Sequence, residues 1–576
     1  MSVETIKAES NGLRSRLPIE LQEPTPNFSD DVWQILKFHG MYQQHDRDVR
    51  GRNNRAYSFM IRSKLPGGKL TPQQYLVQDA LADQFGQGDL RFTTRQGIQL
   101  HGVIKGNLQE TLRALNGVLV TTLGACGDVV RNVMSCPAPF GDPVRAQLQA
   151  TAEAISQHMA PHTTAYHEIW LEGDDGKKSL QSFPTGETNG HINGAGNGVA
   201  QSAGSAHEPI YGKTYLPRKF KIALAFPGDN CTDIMTNDIG LVGLFEGDTL
   251  YGFNVFAGGG LGSTHNNADT FPLLAKPMGY VPAEQVVDVV EKIVMVQRDF
   301  GDREDRKHAR MKYLIHEWGM DKFRAKVEEY LGYSVEPLRP MPDLQADDHL
   351  GWQQQTDGNW FYGIYVENGR LRDNGDQRPR SAVRALVQRY QPGVYITPQQ
   401  NVLLSGFTTA QKAEVEQLLA DFGVATVEQL TNVRRHSLAC PALPTCGLAL
   451  AEAERFLPTV VDQLEPIVAE LGLDKELFTM RMTGCPNGCA RPYVADIGLV
   501  GRSLGKYTLF LGGNPEGTRL NTQYQDLIPA DDVPTVIRQV LLAYRQTRHE
   551  GERVGDWANR VGVDLIHELS DSLVVA

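Results

Sequence analysis

The sequence has no run of about eighteen apolar residues, the length a helix needs to cross a bilayer, so no membrane span is expected. Its first thirty residues are polar and hold no apolar signal segment, which leads to an expected cytoplasmic location. Basic charge is in deficit: 56 Lys and Arg stand against 68 Asp and Glu, a net charge of −12. That argues against generic nucleic-acid binding, which needs a basic surface, and makes any local knot of cations a focused anion site. Cysteine is scarce and odd in number, seven in 576 residues. In a reducing compartment this disfavours a disulfide framework and leaves metal binding or redox work for thiols that cluster.

Four of the seven do cluster. Cys485 and Cys489 lie in the turn Thr483-Gly484-Cys485-Pro486-Asn487-Gly488-Cys489, and Cys440 and Cys446 flank Pro-Ala-Leu-Pro-Thr. Structural zinc usually shows C-x(2)-C or C-x(4)-C knuckles, whereas these pairs are C-x(5)-C and C-x(3)-C. An iron–sulfur cluster takes four thiolates at varied spacing and favours loops whose N–H groups face its sulfides. Zinc and inert buried thiols remain the alternatives at this point.

The length suggests two to four domains. Residues 1 to about 30 read as a loosely ordered leader, and Phe38 to Asp48 as an arm wrapped on the body. Thr71 caps an expected helix from Pro72 to Phe85, followed by strands Leu90–Thr94 and Gly97–Ile104. Comparing the chain with itself is more informative. Leu90 to Gly102 parallels Val394 to Gly406, and Asp238-Ile239-Gly240-Leu241-Val242-Gly243 recurs unchanged from Asp496 to Gly501. A cysteine precedes each hexapeptide by seven residues, Cys231 in one and Cys489 in the other. Two blocks in the same order indicate two fused copies of one unit. An insertion in the first copy, Gly173 to Pro209, is Gly/Ser/Asn-rich and is expected to be a mobile surface loop.

The copies differ where chemistry is expected. The first has Arg91 and Arg95 where the second has Tyr395 and Gln399, while the second has the cysteine quartet and the first keeps Cys231. Arg131 and the strand opening Pro217-Arg218-Lys219-Phe220-Lys221 add cations to the first half. Lys219 and Lys221 share one strand face and can reach one anion, although a solvated strand end is the commoner reading of such lysines. A single site between anion-holding and metal-holding halves is expected.

These residues carry a resemblance. From about Phe38 to the C-terminal region the chain resembles the haemoprotein (beta) subunits of NADPH-dependent assimilatory sulfite reductases, within the sulfite/nitrite reductase family. The cysteine quartet, Ala451 to Pro458, Leu216 to Lys221 and Phe38 to Gln44 carry it. The resemblance implies an α+β, mixed α/β fold, internally duplicated about a pseudo-twofold axis. It implies an arm over 1–59, a central ferredoxin-like pair over 60–124 and 349–425, a sirohaem and substrate domain over 125–348, and a cluster domain over 426–576. It implies a [4Fe–4S] cluster on Cys440, Cys446, Cys485 and Cys489, with Cys489 also ligating sirohaem. Arg62, Arg131, Lys219 and Lys221 become the sulfite-binding cations, and Arg91, Thr93, Arg95, Gln99, His101 and Asn487 the macrocycle contacts. Electrons are expected from NADPH through a flavoprotein (alpha) partner, since no flavin module is visible. A ferredoxin donor, nitrite as substrate, and a non-catalytic zinc scaffold are the alternatives. Gly127 stands where the resemblance leads one to expect a polar residue, and Cys136, five residues beyond Arg131, receives no role.

Overall fold

Two five-stranded antiparallel sheets in the centre of the molecule exchange their edge strands. The first runs Met41–His45, Tyr57–Arg62, Ile98–Val103, Leu90–Phe92 and then Arg370–Leu371, a strand supplied by the second copy. The other runs Gly351–Gln354, Trp360–Ile364, Val402–Phe407, Gly393–Ile396 and then Lys69–Leu70, supplied by the first. The exchange is reciprocal in register: Leu371 lies opposite Leu90, and Leu70 opposite Val394. Leu90, Leu100, Val394 and Leu404 belong to one apolar cluster, so the two ferredoxin-like sheets share a core. This computed structural model describes residues 1–49, 55–163, 169–172, 178–181 and 208–574.

Each copy continues into a mixed sheet of like topology. In the first, Ile222–Ala225 runs parallel to Ile239–Glu246, which pairs antiparallel with Thr249–Ala257 and onward to Lys276–Pro282. Met134 adds a parallel bridge to Ala223 at the open edge. In the second, Ser437–Ala439, Met480–Thr483 and Ile497–Ser503 are parallel, and Lys506–Leu511 and Thr522–Pro529 complete the sheet antiparallel. A 15-residue helix follows each, Val286–Phe300 and Val533–Thr547. Their apolar faces pack into the separate cores of the two halves, which is where Val290 and Val540 sit.

The expected helix is present as Pro72–Gln84, with Thr71 and Gln74 forming a reciprocal capping box. The leader differs from expectation: it forms helices Val3–Ala8, Leu17–Gln22 and Asp30–Leu36 and is docked. Leu13 is fully buried, and buried Lys7 donates to the Leu216 carbonyl at 2.8 Å. These helices are too short for a hydrophobic period to register, and partners about two hundred residues away in sequence hold them. Of the insertion 173–209, Lys178–Gln181 pairs with Ile169–Glu172; the expected mobile loop lies largely outside the described residues. No helix among the described residues is long and apolar enough to cross a membrane.

Candidate functional site

The two halves meet where the turn after Met480–Thr483 faces the first half. Gly488 turns this segment at φ +64°, and Ser263 N–H donates to the Pro486 carbonyl at 2.9 Å. A Cβ at Gly262 would lie 3.0 Å from the Asn487 carbonyl oxygen, so glycine permits this approach. Thr94 Oγ1 donates to the Cys489 carbonyl at 3.0 Å, and Cys489 itself is exposed. Between the halves lies a cleft lined by Cys489, Asn487, Lys219, Lys221, Arg95 and Arg310, among others, and by no carboxylate.

The cations there are crowded and only partly neutralised. Arg95 donates to Asn237 Oδ1 and to the Asn132 carbonyl, each at 2.6 Å, while its buried Nε has no partner. Arg310 grips Asp238 through Nη2 at 3.0 and 2.9 Å, and Asp238 also accepts from Lys221 N–H. Burial, then Arg131, Arg310 and Arg218, bring Lys219 down to about 7. Burial, then Lys219 and Arg95, hold Lys221 well below the ordinary lysine value. An anion entering the cleft would relieve both.

The structure thus brings Arg95, Lys219, Lys221, Asn487 and Cys489 together, with Arg131 near enough to depress Lys219. Arg131 donates to the Gly127 carbonyl at 3.1 Å. Gly127 is required by its φ of +86° and by Phe38, whose Cα lies 2.9 Å from where a Cβ would stand. Arg62 donates to Cys126 Sγ at 2.9 Å and, through Nε at 3.0 Å, to the Gln99 amide oxygen. His101 is buried beside Gln99, with Nδ1 unpartnered, and burial holds it neutral. Thr93 Oγ1 accepts from Gly97 N–H and fixes the turn. Arg91 does not line the cleft: it is buried, pairs with Glu454 at 2.8 Å and donates to the Ala439 carbonyl.

Sequence reasoning missed Arg310, Asn237, Arg491 and Lys312. Lys312 donates to the carbonyls of Gly260 and Gly262, and burial, then Arg310, brings it to about 7. The stretch Arg306 to Lys312 reads in sequence as solvated charge, with nothing to single these residues out.

Behind the cleft lie the other cysteines. The parallel strands Ser437–Ala439 and Met480–Thr483 end side by side, which brings Cys440 to the turn holding Cys485 and Cys489. Gly484 N–H points at Cys440 Sγ and the Asn487 amide at Cys485 Sγ, each at 3.5 Å. Arg47, from the N-terminal arm, donates to the carbonyls of Cys446 and Ala449 at 3.0 and 2.7 Å. Burial, then the neighbouring Cys489, pushes Cys440 well up and Cys485 up to about 12. Four thiolates can coexist here only around a compensating polycation. The quartet is too widely spaced for one ion: among the described residues, the one set of such ligand atoms all within 4.8 Å of each other lies elsewhere. A multi-iron cluster fits this donor set and mononuclear zinc does not.

Residues 151–335 and 431–572 match the family described as nitrite and sulphite reductase 4Fe-4S domain, the second segment spanning all four cysteines. Residues 51–118 and 353–422 match the nitrite/sulfite reductase ferredoxin-like half domain. The chain belongs to the nitrite and sulfite reductase family. Its relatives in that family include a Synechococcus elongatus protein named sulfite reductase (ferredoxin), 45% identical over 99% of this chain and 91% of its own. A Geobacillus kaustophilus protein named sulfite reductase (NADPH) hemoprotein beta-component is 43% identical over 99% and 96%. The solved structure of Mycobacterium tuberculosis NirA shares the fold, with a TM-score of 0.77 at 24% identity over 98% and 96%. Sirohaem and a 4Fe–4S cluster are the cofactors of this family. The carboxylate-free cleft, with the unpartnered Arg95 Nε, suits a macrocycle bearing many carboxylates.

Proposed function

We propose that this chain reduces sulfite to sulfide, a six-electron reaction, with electrons delivered by a separate protein. The observation that carries the reading is the convergence of Lys219, Lys221, Arg95 and Arg310 on the cleft that Cys489 borders. Sirohaem coupled to the cluster would supply an iron that binds sulfur and a store of electrons beside it. Cys440, Cys446, Cys485 and Cys489 would hold the cluster, and Arg95 and Asn487 would contact the macrocycle edge.

The chain's own side chains do the rest. Lys219 and Lys221, with Arg131 close enough to depress Lys219 and Arg62 as a fourth cation in the proposed role, draw in the dianion and polarise its S–O bonds. Lys219, poised near neutrality, can donate a proton to a departing oxygen and regain one from solvent. Lys221 lies deeper in the electrostatic scale and serves as a second donor once an anion raises its proton affinity. Arg310 is fixed by Asp238 and contributes charge without moving.

The test is turnover of the purified holoprotein with reduced methyl viologen, comparing kcat/KM for sulfite and nitrite. A higher value for nitrite overturns the substrate assignment. For the donor, we favour a flavoprotein partner fed by NADPH, supported by relatives named as beta-components. A ferredoxin donor is the second reading, favoured by the Synechococcus relative. Reconstitution with each donor separates the two.

A further inference from the structure

The first half keeps its own counterpart of the cluster pocket. The spacing that separates Leu90 from Val394 also separates Cys136 from Cys440, and both cysteines open Cys-Pro-Ala. Cys136 follows the bridge from Met134 to Ala223 just as Cys440 follows the pairing of Leu438 with Arg481. Cys231 corresponds likewise to Cys489: Asp233 and Arg491, two residues on, both take left-handed backbone and open a short 3-10 turn before the shared hexapeptide. Two of the four cluster cysteines therefore have partners by pseudo-symmetry, and both are buried free thiols.

Two other ligand types complete the pocket. Asp229 stands where the second half has Asn487, and His349 enters from the segment leading into the strand Gly351–Gln354. Cys136 Sγ lies 2.7 Å from Asp229 Oδ2 and 3.5 Å from His349 Nε2, and His349 Nε2 lies 3.1 Å from Asp229 Oδ2. With Cys231 Sγ, all four ligand atoms fall within 4.8 Å of one another, and all four residues are buried.

We propose that Cys136, Asp229, Cys231 and His349 form a mononuclear metal site for a divalent ion of zinc's class, separate from the iron cofactors. Bond lengths of about 2.3 Å to sulfur and 2.0 Å to nitrogen or oxygen place tetrahedral ligands about 3.3–3.8 Å apart, so this set closes on an ion with small adjustments. Two thiolates, an imidazole and a carboxylate are a donor set that zinc accepts and magnesium or calcium does not. The surroundings fit. Asp229 Oδ1 is held by Cys231 N–H at 2.8 Å, which leaves Oδ2 for the ion. The Asp347 carboxylate lies 3.7 Å from His349 Nδ1, beyond hydrogen-bond reach, and Nδ1 has no partner of its own among the described residues. His349 also keeps a left-handed φ of +56°, a strained conformation for a residue with a side chain. Arg145, stacked over Phe140 and Phe226, answers the excess negative charge of the set.

The ion would join three distant segments at the wall of the catalytic cleft, since Met134 lines that cleft two residues before Cys136. The experiment is elemental analysis of the holoprotein purified without chelators, with zinc-edge X-ray absorption. About one zinc per chain beside the iron, with two sulfur and two nitrogen or oxygen ligands, is the expected result. The double variant Cys136→Ser/Cys231→Ser should lose that zinc and keep its iron and sirohaem. Should it fail to fold, the wild-type absorption spectrum still decides. A zinc-free protein that takes up none from a zinc-supplemented medium, a Cys136–Cys231 disulfide, or zinc bound by four sulfurs would each overturn the proposal. Because this readout is zinc and not turnover, it fails independently of the sulfite reading.

Discussion

Arg91 donates through Nε to Glu454 Oε2 at 2.8 Å across 363 residues of sequence, tying the first ferredoxin-like sheet to the segment between the Cys440/Cys446 and Cys485/Cys489 pairs. Arg370, from the exchanged strand, grips the same carboxylate at 2.7 Å. Arg91→Ala removes one partner of a buried ion pair and should cost about 3 kcal/mol, tempered by Arg370. Urea unfolding and iron content should both fall in this variant. Unchanged stability with impaired macrocycle binding would return Arg91 to a cofactor-contact role.

Lys219, at about 7 against an ordinary value of 10.5, carries its full charge only below neutrality. Anion binding in the cleft should therefore weaken as pH rises from about 6 to 8, and Lys219→Met should flatten that dependence and lower kcat/KM by about 10²-fold. The stability effect has the opposite direction in pH. A lysine whose folded value is depressed costs stability below about 7, and the cost fades as pH climbs toward 10.5. The empty Lys219→Met protein should be the more stable form at pH 6, by thermal melting, with the gap closing at pH 10.

Cys485→Ser should lose iron and sulfide together, because no other sulfur can take its place in the turn. Cys489→Ser should in addition uncouple whatever haem is retained from the cluster. Iron, sulfide and absorption measurements on both variants distinguish them. Equal retention of iron in both would remove the quartet from cluster binding.

Gly127→Ala places a Cβ 2.9 Å from Phe38 Cα at a φ of +86°. Backbone strain alone is worth about 1 kcal/mol, and the contact adds to it, so a loss of about 2–3 kcal/mol in urea unfolding is expected. Because the Gly127 carbonyl anchors Arg131, KM for sulfite should rise as well.

Much of this was legible because it is local or repeated. The cysteine quartet, the duplicated hexapeptide and the Lys219/Lys221 pair are short motifs, and strand alternation put both lysines on one side. What was not legible depends on distant partners. Nothing near Arg91 announces Glu454, and nothing near Arg310 announces Asp238. The leader helices gain their order from Leu216 and the core around Leu13, not from their own pattern. The four ligands at Cys136 come from three separate stretches, with only Asp229 and Cys231 near one another in sequence.

The exchanged strands Lys69–Leu70 and Arg370–Leu371 bear on how the chain is made. During synthesis the first sheet stays one strand short until residue 371 has left the ribosome, and its lone Lys69–Leu70 segment waits for a sheet not yet translated. Neither half can close early around a cofactor, so loading is deferred until after residue 371 has been made.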